Sequence, residues 1–398
     1  MLEDERDQKP ILPYPRCVPN AGRRVKKQIL ISISFILLIL ILLLSSCTFT
    51  RIIYHNFSTV DDWRIFPSRP LPASPVPFRF QGGEVKMPET VSVGGRHDLP
   101  LERTLEKNKT PAFLVIKDDR LVYERYFNGA DEHSISLAFS MTKSFFSLLI
   151  GRAIDDGIIG STGQKVTEYV PELAARGYDR VTIEDLLNMS SGSNYRESDE
   201  PIFGDAPWYY YDEELERRVL TQRVVGEPGK RFSYKSADTE LLGLILKRAL
   251  KGETITAYFD RTIWGPLGME QAGLWSLDRQ DGIEKVYCCI AGTARDLAKF
   301  GRLALHAGEW DGSRIVSQSW FDDSLRMDKA LSAGTLFYRH QWWLTGDADR
   351  SFLAIGHLGQ FIFVNPAKKV VVVRLGRGLG SLTRDEWIGL MRTIGNGV

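Results

Sequence analysis

The sequence predicts a mixed α/β (α+β) domain, with one antiparallel sheet assembled from both ends of the globular region and helices inserted between. Three observations carry this. Two β-hairpins lie far apart in the chain, one near residue 112 and one near residue 360. Between them the apolar residues recur at helical spacing. The strands come as hairpins rather than β-α-β units, which favours an antiparallel sheet. The net charge of +1 and hydrophobic fraction of 43% over 398 residues are those of a globular protein and give no reason to expect nucleic acid as a partner.

At the N-terminus, residues 1–28 end in Arg23, Arg24, Lys26 and Lys27, and residues 29–46 read ILISISFILLILILLLSS without a charge. An apolar run with basic flanks is a membrane anchor or a signal segment. The positive-inside rule leaves residues 1–28 in the cytoplasm and exports the rest. Leu44-Ser45-Ser46-Cys47 resembles a bacterial lipobox, which would make Cys47 a lipidated first residue; an uncleaved anchor is the alternative. Either tethers an extracytoplasmic domain, periplasmic or at the cell surface, to the membrane. Residues 47–105 gather Pro67, Pro70, Pro72, Pro75 and Pro77 before Gly82-Gly83. They read as an extended lead-in that lies on the domain or spaces it from the membrane. Residues 106–398 form the domain itself.

Within it, Phe113–Ile116 and Leu121–Phe127 flank Asp118-Asp119-Arg120, a hairpin. A helix begins at Ser140, carries Phe145, Leu148, Leu149 and Ile154, and stops at Gly157. Thr182 with Asp185 is a capping-box start to a short helix. Residues 193–227 are aromatic and acidic around Trp208-Tyr209-Tyr210-Tyr211. After the Pro228-Gly229 turn, Tyr234-Lys235-Ser236 leads into a helix with Leu241, Leu242, Ile245 and Leu246 on its apolar face. Thr293 with Asp296, and Thr383 with Glu386, start two more helices. Gln360–Val364 and Val370–Val373 flank Asn365-Pro366, the second hairpin. Of the four cysteines only Cys288 and Cys289 fall in the domain. Adjacent cysteines rarely bridge each other, and no Cys/His spacing suits a metal, so the two read as small buried hydrophobes in a fold without disulfide staples.

Ser140-Met141-Thr142-Lys143 carries the most chemistry. A serine and a lysine one helical turn apart share a face, so an amine stands beside a hydroxyl and can activate it without histidine. Alone, S-x-x-K is short enough to occur by chance. It has company. Tyr234 sits just before a helix, where a phenol near an ammonium has its phenolate stabilised and can act as a base. His357-Leu358-Gly359-Gln360 opens a strand, where glycine allows a ligand close to the backbone.

In this order the three motifs resemble the serine β-lactamase/penicillin-binding-protein superfamily, and within it the branch of class C β-lactamases, family VIII esterases and 6-aminohexanoate-dimer hydrolases. Val181–Gly192, Pro228–Tyr234, Ile263–Met269 and Thr293–Ala298 also resemble segments of that family. The resemblance implies a three-layer, β-lactamase/transpeptidase-like fold, its antiparallel sheet flanked by helices and joined by a helical subdomain. It implies Ser140 as nucleophile, Lys143 as the group that orients and activates it, and Tyr234 as general base. Backbone N–H groups of Ser140 and Gln360 would form the oxyanion hole. His357 and Gly359 would line the substrate edge, with Ser236 beside them; apart from the resemblance, the aromatic run Trp208 to Tyr211, between Ser140 and Tyr234 in sequence, reads either as a wall of the substrate pocket or as core packing of the helical subdomain. No metal or organic cofactor is implied. Two departures matter: Ser236 stands for the asparagine of Y-x-N, and His357 for the lysine of K-T-G. Histidine is a poorer anion clamp at neutral pH. Both departures favour an esterase or amidase on a small amide or ester over a β-lactamase or D,D-peptidase acting on cell-wall peptides. A non-catalytic binding protein with this fold has no need of Ser140, Lys143 and Tyr234 together.

Overall fold

The computed structural model describes residues 21–44, 47–55, 57–198 and 204–398. Its main sheet has nine strands: β1 Gln81–Gly82, β2 Ala112–Lys117, β3 Arg120–Tyr126, β4 Leu331–Ala333, β5 Leu336–Arg339, β6 Trp342–Leu344, β7 Phe352–Gly356, β8 Gln360–Asn365 and β9 Val370–Leu375. Their order is β4-β5-β6-β7-β8-β9-β2-β3-β1, antiparallel except where β1 joins β3. Both chain ends build this sheet, as the two hairpins predict. Val372 of β9 pairs with Val115 on one side and Phe363 on the other.

The helices that matter are α1 Ala21–Leu44, α2 Cys47–His55, α3 Met141–Asp155, α4 Asp205–Tyr211, α5 Ser236–Ala249, α6 Ala294–Leu305 and α7 Arg384–Gly397. Val370 and Val372 pack with Phe113 and Val115 beneath Trp387, Met391 and Ile394 of α7. Val371 and Val373, on the opposite face, pack with Leu114 and Ile116 beneath α3 and α6, where the Phe145 and Phe300 rings stack at 4.1 Å. Helices thus cover both faces, which makes three layers. That is why these strands read as continuous apolar runs instead of alternating. Each such side chain, fully buried, contributes about 1.5–3 kcal/mol. Thr182, Thr293 and Thr383 cap their helices as the sequence suggests, each accepting from the backbone N–H three residues on.

A second, four-stranded sheet runs Ser68–Leu71, Gly273–Ser276, Ile290–Gly292, Ser136–Leu137. Its first strand belongs to the proline-rich lead-in and its last runs into Ser140. The lead-in therefore lies on the domain. Among the described residues no helix is long and apolar enough to cross a membrane. Residues 1–20, Ser45 and Ser46, and the side chains of residues 39–44 and Cys47 lie outside the described residues, and so does the lipidated-cysteine reading.

Candidate active site

Ser140 stands at the start of α3. Phe139 before it takes a left-handed backbone, φ 46°, while 4% exposed. A bulky residue there costs on the order of 1–3 kcal/mol, held by its surroundings. The kink turns the chain from the strand Ser136–Leu137 into the helix and leaves Ser140 at the helix mouth. The end of β7 presses against the same point: a Cβ on Gly356 would lie 2.3 Å from the Ala138 carbonyl oxygen. Only glycine lets the sheet come this close to the Ser140 segment.

Lys143 is 1% exposed. Its Nζ donates to Ser140 Oγ at 3.0 Å, to Ser236 Oγ at 3.2 Å and to the Tyr287 carbonyl at 2.7 Å. Burial pulls its pKa down to about 8, against the opposing pull of Glu197 and Glu240. A useful fraction of the amine is therefore neutral near physiological pH. Ser236, the first residue of α5, is held on its other side by Glu197. Its Oγ donates to Oε1 at 2.9 Å and its backbone N–H to Oε2 at 2.7 Å. The carboxylate thus sits at the N-terminus of α5, a favourable place for negative charge.

Tyr234 is half-buried, its ring stacked on Trp343 at 5.7 Å with Lys143 Nζ 5.0 Å from its centroid. Here the electrostatics run against the expectation of a stabilised phenolate. Desolvation and then Glu197 raise the Tyr234 pKa, and the hydrogen bond with Ser140 only partly opposes them. The Lys143 ammonium lies over the ring and spends its hydrogen bonds elsewhere. Tyr234 is therefore a protonated phenol at neutral pH, a donor rather than a ready base.

Ser140, Glu197 and Ser236, with His357, open on a cleft of about 270 Å³ among aromatic side chains, Phe139, Tyr210, Tyr211 and Tyr287. Trp208 is not among its walls. Its ring stacks on Phe49 of α2 at 6.3 Å, with Arg218 over its face; its neighbours on the other side of α4 face the cleft. Gly359 does not line it either. It has φ 81°, and a Cβ there would lie 2.0 Å from Arg374 Nη1. The group that approaches this glycine is the Arg374 guanidinium, which donates to its carbonyl at 2.5 Å. His357-Leu358-Gly359 is a tight turn between β7 and β8, with Leu358 also left-handed at φ 59°. Gln360 then starts β8. Its side chain is locked to the Gly376 backbone, which accepts from Nε2 and donates to Oε1. This fixes the backbone position expected to supply an oxyanion donor.

Two further features depart from the sequence reading or escape it. Cys288 and Cys289 form a disulfide, although neighbours in sequence seldom do, and Cys288 borders the cleft just after Tyr287. Glu197 had no signal of its own; it lies in an irregular segment, and only the position of Ser236 brings it to the site. Among the described residues, Glu184, Asp323 and His340 bring donor atoms within 4.8 Å of one another, as a metal would need. Arg339 already pairs with Glu184 at 3.1 Å and Asp323 at 2.8 Å, which satisfies the carboxylates without an ion. None of these residues lines the cleft.

A serine at a helix mouth, a buried lysine on the first turn of the same helix and a sheet edge opposite are the arrangement of a serine hydrolase of the S-x-x-K kind. Residues 102–390 match the sequence profile of the family described as Beta-lactamase, and the chain belongs to that family. It is 30% identical over 316 residues to the 6-aminohexanoate-dimer hydrolase of Paenarthrobacter ureafaciens, covering 74% of this chain and 79% of that protein. Among solved structures, a candidate 6-aminohexanoate-dimer hydrolase from Bacillus anthracis superposes with a TM-score of 0.76 at 24% identity, covering 86% of this chain and 94% of the other. A family VIII carboxylesterase superposes at 0.58 and 16% identity, over 75% and 95% of the two chains. At such identities these two speak for the fold. The chain is a serine hydrolase acting on amide or ester bonds.

Proposed function

We propose that the protein cleaves short linear amides or esters through an acyl-enzyme on Ser140, with Lys143 rather than Tyr234 as the base. The observation that carries this is the 3.0 Å contact between Ser140 Oγ and the buried Lys143 Nζ. In its neutral form Lys143 accepts the hydroxyl proton as Oγ attacks the substrate carbonyl. The carbonyl oxygen becomes an oxyanion, received by the backbone N–H groups of Ser140 and Gln360, each worth about 2.7–4 kcal/mol of barrier. The C–N or C–O bond then breaks, and the leaving group takes a proton from Lys143 by way of the Tyr234 hydroxyl. Water repeats the sequence in reverse and frees Ser140. The aromatic cleft, with His357 where a lysine would clamp a carboxylate, supports a linear apolar substrate over a β-lactam. The 6-aminohexanoate-dimer hydrolase relative supports an amide.

A fluorophosphonate probe should label the wild type and leave Ser140→Ala unlabelled, and a panel of short esters and linear amides should be turned over. Absence of both in the wild type refutes the assignment. Labelling by a fluorescent penicillin with slow release would move it to cell-wall peptides.

We also propose that residues 29–46 tether this domain outside the cytoplasmic membrane. The support is the side chains of Ile29, Leu30, Ile31, Ile33 and Phe35, each more than half exposed on α1, and the basic residues before them. Recovery of the full chain in the soluble fraction after cell lysis would remove this reading.

A further inference from the structure

The lead-in supplies a wall of the cleft. Phe57 and Ser58, more than 80 residues before the nucleophile, line the same space as Ser140, opposite Pro207, Tyr210 and Tyr211 of α4 and beside Leu358. This segment is pinned on both sides. The Leu137 N–H, three residues before Ser140, donates to the Val60 carbonyl at 3.0 Å. The Tyr210 hydroxyl donates to Asp62 Oδ2 at 2.9 Å, and Thr59 Oγ1 to Asp62 Oδ1 at 2.7 Å. Upstream, Arg51 of α2 pairs with Glu213 at 2.7 Å, and the His55 and Tyr211 rings stack at 5.6 Å. Between these fastenings Phe57 is 76% exposed, a large apolar ring held at the mouth of an apolar cleft with little packed behind it. Single exposed apolar residues are ordinary. One fastened at the mouth of a site lined by aromatic rings has a surface to offer a ligand.

We infer that Phe57 is a specificity-determining residue, closing the cleft against the apolar chain on the acyl side of the substrate. The acyl side follows from the proton path: the leaving group must face Tyr234, and Tyr234 does not line this space. The inference rests on the acyl-enzyme reading above. A longer acyl chain has apolar surface to lay against the ring; an acetyl group has almost none. Each methylene buried against such a wall gains about fourfold in kcat/KM.

The test is a series of p-nitrophenyl esters from acetyl to hexanoyl, measured with the full chain. The leaving group is constant, so the ratio of hexanoyl to acetyl kcat/KM reports the acyl wall alone. In Phe57→Ala that ratio should fall about tenfold while the acetyl ester stays within twofold of wild type, and Phe57→Leu should restore most of it. A ratio unchanged in Phe57→Ala overturns the inference and leaves the hydrolase reading standing. A wild type that hydrolyses no member of the series, and takes no fluorophosphonate label, overturns both. Thermal melting of Phe57→Ala at the wild-type temperature separates a lost wall from a lost fold.

Discussion

Lys143 and Lys285 lie under the two sides of one cleft, and the contrast between them shows what makes a lysine chemical. Both are buried to within 1% of complete coverage. Burial lowers the pKa of each. Both give their protons to backbone carbonyls. Lys285 Nζ donates to Tyr210 O at 2.9 Å and to Tyr209 O and Asp212 O at 3.5 Å, the carbonyls at the C-terminus of α4. That is a cation closing a helix end. Lys143 has one carbonyl and two hydroxyls, Ser140 and Ser236, both facing the cleft. A shifted pKa therefore does not identify the catalytic lysine. The partner does. In the proposed mechanism one lysine carries the chemistry, and the other holds up the aromatic wall.

Replacing each by methionine should separate the two roles. Lys143→Met should lower kcat/KM by about 10³-fold, within the range of a lost general base, with the smaller change in melting temperature, because it strands the one carbonyl of Tyr287 where Lys285 serves three. Lys285→Met should do the opposite. It leaves buried carbonyls without a donor at about 1–3 kcal/mol each, so the melting temperature drops by several degrees while fluorophosphonate labelling of Ser140 persists. Equal loss of activity in both variants would break the comparison. The pH dependence adds a sign. The folded state binds the Lys143 proton less tightly than the unfolded chain, so this group's burden on stability is fully present below pH 8. It is relieved as pH rises from about 8 towards the ordinary lysine value of 10.5. The stability of wild type relative to Lys143→Met should therefore improve across that window, measured by denaturant titration at each pH.

The next effect is smaller and tests how Lys143 is tuned. Glu197 reaches it only through Ser236 and through space, and it holds the lysine pKa up against burial. Glu197→Gln should move the alkaline rise of kcat/KM to lower pH by up to about one unit, since each unit is 1.36 kcal/mol of interaction and the carboxylate is exposed. A shift to higher pH would contradict the placement of the carboxylate beside the lysine. Loss of activity with an unmoved profile would make Glu197 a helix cap and nothing more.

The sequence reveals these regions unequally. Ser140, Lys143 and Ser236 were legible because helical spacing and a helix start place them independently of the rest of the chain. The sheet was legible from its two hairpins. Glu197, Phe57 and Lys285 were not, because each meets the site through contacts between segments distant in the chain, and no local period encodes such a meeting. Gly359 was assigned the right kind of constraint and the wrong neighbour: a close approach is real there, but Arg374, 15 residues on, makes it. Tyr234 lies beside Lys143 as its motif suggests, yet the direction of its pKa is set by desolvation and by Glu197, which no local pattern announces.

Trp208 sets the finest test. In a run of four aromatic residues on the seven-residue helix α4, composition cannot say which ones face the cleft; only the helix phase can. The structure turns Tyr210 and Tyr211 inward to the cleft and Trp208 outward to Phe49. Trp208→Ala should then cost about 1 kcal/mol, the value of a partly exposed aromatic pair, and leave the hexanoyl-to-acetyl ratio where it was. Tyr210→Ala, two residues on and so on the opposite, cleft-facing side of the helix, should lower that ratio. If Trp208→Ala changes the ratio by more than Tyr210→Ala does, the phase of α4 is reversed, and the cleft wall is built from the other side of the helix.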